Sequence, residues 1–218
     1  MLEAVLFDLD GVITDTSRYH YQAWKAVADR LGIYFDESYN EKLKGISRME
    51  SLELLLKNGG AGALYSQREK EALAFEKNEI YKSRIEEVTP MDLLPGIGAL
   101  LEELRAAQIR IGIASVSKNA KTVIHKLQIE KDIDYIADVS QIKRAKPYPD
   151  IFIDCALHLQ AQPINCVGIE DAKAGIEAIH RAGMKAVGVG NKEQMQQADV
   201  ILESTSALSL SLLKKMTS

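Results

Sequence analysis

Apolar residues recur along this chain with two different periods, and the change of period marks its organisation. Val5-Leu6-Phe7 is a short continuous apolar run, the pattern of a buried strand, and it breaks off at Asp8-Leu9-Asp10-Gly11. Tyr19, Ala23, Trp24, Val27, Ala28 and Leu31 follow at helical spacing, with Gly32 as the stop. Asp36 predicts a cap for a short helix reaching Leu43. Ser47-Arg48-Met49-Glu50 is a capping box that opens a helix ending at Lys57. Ser66-Gln67-Arg68-Glu69 is a second, opening a long helix with Leu73, Lys77, Ile80, Tyr81 and Arg84. Between the two, Gly59-Gly60-Ala61-Gly62 reads as an interhelical loop, because a phosphate loop would need a strand before it and GK[ST] after it. Residues from about 16 to about 88 therefore predict helix alone.

From Pro90 the pattern alternates. Pro95 is placed to occupy the first turn of a helix from Ile97 to Ala107. Strands are predicted over Arg110–Ser115, Ile133–Asp138, Asn165–Ile169, Lys185–Val189 and Asp199–Leu202. Helices fall over Asn119–Leu127, Asp150–Leu159, Gly175–Ala182 and Thr205–Lys215. Such alternation predicts a doubly wound α/β domain, a parallel sheet covered on both faces. The opening strand has no partner of its own and must join that sheet, so the helical stretch is an insertion. The expected division is an α/β core of residues 1–15 and 89–218 and a helical cap of residues 16–88, joined near Asp15 and Thr89.

Composition narrows the function more than the fold. A hydrophobic share of 46% beside a charged share of 27% is that of an ordinary globular protein with room for a real core. Net charge of -4 and a pI near 5.7 argue against nucleic acid as partner. An anionic small molecule stays open, since a few local Lys and Arg outweigh a mild global charge. Cys155 and Cys166 lie outside any ligand-rich spacing and read as core thiols. With no signal peptide and no apolar run long enough for a bilayer, the expected location is cytoplasmic, without a membrane partner. Nothing predicts a coiled-coil or apolar seam, so the expected state is a monomer.

In open α/β sheets ligands bind beyond the carboxyl ends of the strands. The polar residues gathered there are Asp8, Asp10, Ser115, Lys146 and Glu170-Asp171, a coherent set for phosphoryl transfer. Strand alternation lets Asp8 and Asp10 face the same way with Leu9 turned into the core, and like charges so placed call for a cation or a basic partner. Mg²⁺ prefers such oxygen ligands, from Asp8, Asp171, the Asp10 carbonyl and Glu170. A carboxylate also attacks phosphorus, which makes Asp8 the natural nucleophile and Asp10 the group that exchanges the proton. Lys146, the Ser115 hydroxyl and the backbone at Val116-Ser117 supply charge and donors for the phosphoryl oxygens. Taken singly, each residue has a plainer role: a turn for Asp-Leu-Asp, a cap for Ser115, a solvated Lys146, a helix start for Glu170-Asp171. Their joint placement at strand ends favours the site.

Phe7-Asp8-Leu9-Asp10-Gly11-Val12, the Ser115 strand end, Lys146-Pro147 and Gly168-Ile169-Glu170-Asp171 resemble, in order, the four signatures of the haloacid dehalogenase-like hydrolase superfamily. The resemblance implies a Rossmann-like core with an inserted α-helical cap and Mg²⁺-dependent chemistry through phosphorylated Asp8, with Asp10 as general acid and base. It weakens a dehalogenase reading, since those enzymes lack the second Asp and the metal. Over nearly the whole chain, including Tyr19-His20, Ala23-Trp24-Lys25, Lys44-Gly45-Ile46-Ser47-Arg48 and Lys77-Asn78, the sequence is similar to the bacterial β-phosphoglucomutase family. That likeness implies interconversion of β-D-glucose 1-phosphate and 6-phosphate through β-glucose 1,6-bisphosphate. It assigns His20 as the cap-side partner of Asp10, Arg48 to the distal phosphate, Lys77 to the sugar site and Thr16 to the hinge. Trp24, Lys44 and Gly45 join the cap side of the substrate site, and Val116, Ser117, Lys118 and Asn119 the core side. Val116 stands where the family often carries a smaller residue, and the loop from Val139 to Ala145 is idiosyncratic. A phosphatase for small sugar phosphates on the same fold is the competing expectation.

Overall fold

The computed structural model describes residues 1–217; residue 218, the last position of the expected core span, lies outside the described residues. Six parallel strands form one sheet: β1 (Ala4–Phe7), β2 (Arg110–Ile113), β3 (Tyr135–Ile136), β4 (Cys166–Glu170), β5 (Lys185–Val189) and β6 (Val200–Leu202). Their spatial order is β3-β2-β1-β4-β5-β6. The chain winds outward from β1 through β2 to β3, then crosses back to lay β4 on the other side of β1. The order therefore reverses between β1 and β4, where Phe7 pairs with both Ile113 and Ile169, and this is where such sheets hold ligands.

Strand alternation splits the core in two. Val5, Phe7, Ile111, Ile113, Val167 and Ile169 point to the face covered by α5 (Ile97–Ala106), α6 (Ala120–Lys126) and α9 (Leu210–Met216). Ala4, Leu6, Cys166 and Ala186 point to the face covered by α7 (Asp150–His158) and α8 (Lys173–Arg181). The parallel ladder buries both faces, so β1 reads AVLF with no polar position. Cys155 and Cys166 are free, buried thiols in the second layer, as expected, and burial pushes both thiols up from their ordinary range.

Between β1 and α5 come four α-helices and no strand among the described residues: α1 (Ser17–Arg30), α2 (Glu37–Asn40), α3 (Arg48–Asn58) and α4 (Gln67–Ile85). Asp36 caps α2, and both predicted capping boxes form, Ser47 with Glu50 and Ser66 with Glu69. Trp24, Val27, Phe35, Leu52, Leu55, Leu56 and Leu73 give these helices an apolar cluster of their own, the cap of the fold.

Several details differ from the sequence reading: β3 is shorter than the expected Ile133–Asp138, and the helix expected to reach Leu43 ends at Asn40, with a 3-10 turn over Glu41–Leu43. Pro95 lies outside α5, because Gly96 takes the N-cap in a left-handed conformation (φ +83°). The helix expected from Gly175 begins at Lys173. The closing helix is broken: Thr205–Ala207 is a single 3-10 turn, Leu208 is extended, and Ser209 restarts the chain by capping Leu212 N–H of α9. Among the described residues no helix is long and apolar enough to cross a membrane.

Candidate active site

Asp8 follows the last residue of β1, where the ladder ends and the carboxylate faces the switch point. Its Oδ1 accepts from Lys146 Nζ at 2.5 Å, and the same ammonium donates to Glu170 Oε1. Lys146 is fully buried in the loop ahead of α7, next to a cis peptide bond to Pro147. Glu170, the last residue of β4, uses its other oxygen to accept from the Asp171 and Ala172 N–H groups at 3.0 and 2.9 Å. Both of its oxygens are thus engaged, and it acts as a brace that sets the lysine and the turn into α8. The helix is bare beside it, because a Cβ at Gly175 would stand 1.9 Å from Glu170 Oε1.

Strand alternation turns Asp171 the other way, toward the cavity. Asp8, Glu170 and Asp171 each place an oxygen within 4.8 Å of the others. Gly11, at φ +80°, passes so close that a Cβ there would lie 2.3 Å from Asp171 Oδ2. Burial raises the Asp8 carboxyl to about 7, Lys146 pulling against this and Glu170 and Asp10 adding to it. Burial, with Glu170 and Asp8, likewise holds Asp171 well above the carboxylate range. One ammonium does not offset this density of negative charge. Hard oxygen donors in such a site fit Mg²⁺, with Asp8 and Asp171 offering free carboxylate oxygens. The Asp10 carboxylate is turned away from this cluster, so only its backbone carbonyl could join such a set.

Asp10 instead faces the cap. Its Oδ1 accepts from Thr16 Oγ1, and its Oδ2 lies 3.6 Å from His20 Nε2. Lys77 Nζ meets His20 Nδ1 at 2.7 Å. Asp10 Oδ2 facing Nε2 favours the ring proton there, and the ammonium form of Lys77, which has only donors, fits Nδ1 as the acceptor. Lys77 is buried between the rings of Trp24 and Tyr81, 5.1 and 4.9 Å from their centroids. Burial and then the Arg48 charge lower the Lys77 ammonium to about 7. In the unfolded chain Lys77 keeps its proton to about 10.5, so folding is disfavoured below about 7 and that penalty fades as pH rises between the two. Lys77→Met is therefore expected to be more stable than the parent at pH 7, the gap narrowing by up to about 1.4 kcal/mol per pH unit toward pH 9. Urea unfolding at pH 7, 8 and 9 reads this out, and a gap independent of pH would contradict it.

Core and cap together line a cavity of about 450 Å³. Its lining brings together Asp8, Asp10, His20, Trp24, Lys44, Gly45, Arg48, Lys77, Ser115, Val116, Ser117, Lys118, Asn119 and Asp171. Thr16, Lys146 and Glu170 stand behind this lining. On the core side Ser115 Oγ accepts from Ser117 N–H at 3.2 Å and Ser117 Oγ from Asn119 N–H at 3.3 Å, which curls the loop after β2. On the cap side Arg48, first residue of α3, donates to the Ala74 carbonyl at 3.4 Å. Among the described residues no carboxylate lies within ion-pair distance of it; burial lowers its pKa, and Glu79, acting from farther off, opposes this. Besides the contacts of Thr16 and His20 with Asp10, cap meets core where Lys44 Nζ lies 3.9 Å from Asp171 Oδ2, where Gly45 packs on Ala172, where Asn119 Nδ2 donates to Asn78 Oδ1 at 2.9 Å, and through the ion pairs Arg18–Asp92 and Lys126–Glu86. Sequence reasoning passed over Tyr81 and Asn78 as binding groups, and Asn40 and Ser51, which also line the cavity. Only the polar residues on otherwise buried helical faces, Asn78 beside Lys77 among them, hinted at these.

A parallel sheet with an Asp-x-Asp at the end of its first strand, a lysine and an acid pair at neighbouring loops, and an inserted helical cap define a class of phosphoryl-transfer enzymes. The chain belongs to the haloacid dehalogenase-like hydrolase family, which matches residues 2–183. Within it, the chain is 50% identical over 212 residues to β-phosphoglucomutase of Bacillus subtilis, covering 97% of this chain and 94% of that protein. It is 31% identical to the fructose-1-phosphate phosphatase YqaB of Escherichia coli, over 85% of this chain and 95% of that one. The solved structure of β-phosphoglucomutase from Clostridium difficile superposes with a TM-score of 0.97 at 47% identity, over 100% of this chain and 97% of that one.

Proposed function

We propose that this chain is a Mg²⁺-dependent phosphomutase that interconverts β-D-glucose 1-phosphate and β-D-glucose 6-phosphate. The observation that carries the reading is Arg48, a half-buried guanidinium in ion-pair contact with no carboxylate among the described residues, lining the same cavity as Asp8. A phosphatase needs one phosphate site. A mutase whose intermediate carries two phosphates needs a second, and an Arg fork binds phosphate oxygens bidentately. The 50% identity to a β-phosphoglucomutase points the same way.

In this reading Asp8 attacks phosphorus, a bond forms from its carboxylate oxygen, and the bond from phosphorus to the sugar oxygen breaks. Asp10 gives its proton to the departing oxygen; when a sugar hydroxyl next attacks the phosphorus, Asp10 takes its proton and the bond from phosphorus to the Asp8 oxygen breaks. Thr16 and His20 hold the Asp10 carboxylate. Lys146 and the Ser115 loop face the equatorial oxygens, where negative charge gathers. Asp8, Asp171 and the Asp10 carbonyl would hold the Mg²⁺, which when bound would supply further positive charge to those oxygens. β-Glucose 1,6-bisphosphate is the intermediate that turns over in the cavity, with Lys77, Trp24, Lys44 and Gly45 against the sugar and Ser117, Lys118 and Asn119 against the phosphate remote from Asp8. The enzyme works as a cytoplasmic monomer, and its cap, residues 16–88, moves on linkers near Asp15 and Thr89.

Conversion of β-glucose 1-phosphate to glucose 6-phosphate, primed by catalytic glucose 1,6-bisphosphate and Mg²⁺, tests the reading beside an assay for released phosphate. Phosphate release as fast as isomerisation would shift the assignment to the phosphatase, the activity named for the Escherichia coli relative. Arg48→Ala is expected to slow the mutase about 10- to 100-fold, the worth of one charge-assisted phosphate contact. Phosphorylation of Asp8 by acetyl phosphate, which has no second phosphate, should change by less than about threefold. Equal losses in both reactions would make Arg48 a structural residue.

A further inference from the structure

Tyr81 lies one turn beyond Lys77 on α4, is fully buried, and touches both partners of Asp10. Its hydroxyl stands 3.1 Å from Thr16 Oγ1, and that oxygen bonds in turn to Asp10 Oδ1. Thr16 Oγ1 donates to Asp10, which commits its one proton, so the Tyr81 hydroxyl donates to Thr16. On the other side the Tyr81 ring lies against the His20 imidazole, with centroids 4.0 Å apart and planes tilted by 33°. His20 faces the second oxygen of Asp10. The Lys77 ammonium that meets His20 Nδ1 rests over the same ring.

We propose that Tyr81 is a positioning residue for proton transfer: its hydroxyl fixes Thr16 against one Asp10 oxygen while its ring fixes His20 against the other. The proposal rests on the reading of Asp10 as general acid and base. The terminal torsion of an aspartate is broad, so the side chain does not choose its own orientation. Contacts from outside must set which oxygen meets the substrate, and both of those contacts run through this one tyrosine. The plainer role is space filling between α1, α4 and the core, for which a phenyl ring would serve as well.

Tyr81→Phe separates the two, because it keeps the ring and removes the hydroxyl. Loss of one buried hydrogen bond that orients Asp10 is expected to lower kcat about 5- to 10-fold, with KM for β-glucose 1-phosphate unchanged within twofold. The His20 imidazole ¹⁵N shifts, assigned by comparison with His20→Gln, should stay those of the Nε2–H tautomer, because the ring that packs on it remains. A kcat within twofold of the parent overturns the proposal whatever happens to the urea midpoint. A rise in KM that matches the fall in kcat also overturns it, since the tyrosine would then shape sugar binding, and so does loss of the His20 tautomer. If the parent protein shows no mutase turnover, the functional reading fails first. The same comparison is then made on sugar-phosphate hydrolysis, where Asp10 moves the equivalent proton.

Discussion

Asp8→Asn is expected to lower turnover by at least about 10³-fold in both the mutase and the phosphate-release assays. Asparagine matches the shape of the side chain but offers no anionic oxygen to attack phosphorus. It would also set an amide where Lys146 donates at 2.5 Å and where a metal oxygen is needed. The fold should survive, because the parent carboxylate is a strained occupant: burial holds its pKa at about 7 against an ordinary 3.8. Between those two values the folded protein keeps the Asp8 proton while the unfolded chain releases it, so the parent loses stability as pH rises through that window. Asp8→Asn removes that loss, and its urea midpoint at pH 7.5 should equal or exceed that of the parent. A variant that keeps more than about a tenth of the activity would end the nucleophile assignment.

The residues that chemistry needs at strand ends were readable because the pattern that makes them visible is local. An apolar run that stops at Asp8, Ser115 or Glu170 announces its own end, and parallel topology then gathers those ends at the reversal between β1 and β4. What lies across the cavity is harder. Tyr81 and Asn78 sit on a helical face like any other, and their meaning comes from Thr16 and Asn119, 65 and 41 residues away. Neighbouring acids are a second limit. Sequence named Asp171 as a carboxylate ligand with Glu170 as a further candidate beside it, and alternation at the end of β4 sends Glu170 to brace Lys146 and Asp171 to the cavity. Helix ends blurred for a third reason. Pro95-Gly96 and Ser204 to Ser209 each contain two competing start signals, and backbone geometry at Gly96 and Ser209 decided between them.

Lys146→Met tests how the site tolerates its own charge. Lys146 is fully buried, and its pKa stands above the usual lysine range because Asp8 and Glu170 outweigh the burial that opposes it. Methionine fills similar volume and removes only the charge, which leaves two facing carboxylates without their fixed counter-ion. Breaking a buried pair in this way costs about 3–5 kcal/mol, more than any packing change the substitution introduces. The deficit has a direction with pH. Asp8 already holds its proton to about 7, and without the lysine it would hold it higher still, so protonation relieves the variant as pH falls. The stability gap to the parent should be wide at pH 8 and narrow at pH 5.5. Millimolar Mg²⁺ should recover part of it at pH 8, since Asp8 and Asp171 then gain a cation in place of the ammonium. Urea unfolding at both pH values, with and without Mg²⁺, measures all three effects independently of activity. A variant as stable as the parent at pH 8 without metal would mean that the site relaxes to admit water, and that the buried pair fixes the geometry of Asp8 without supporting the fold.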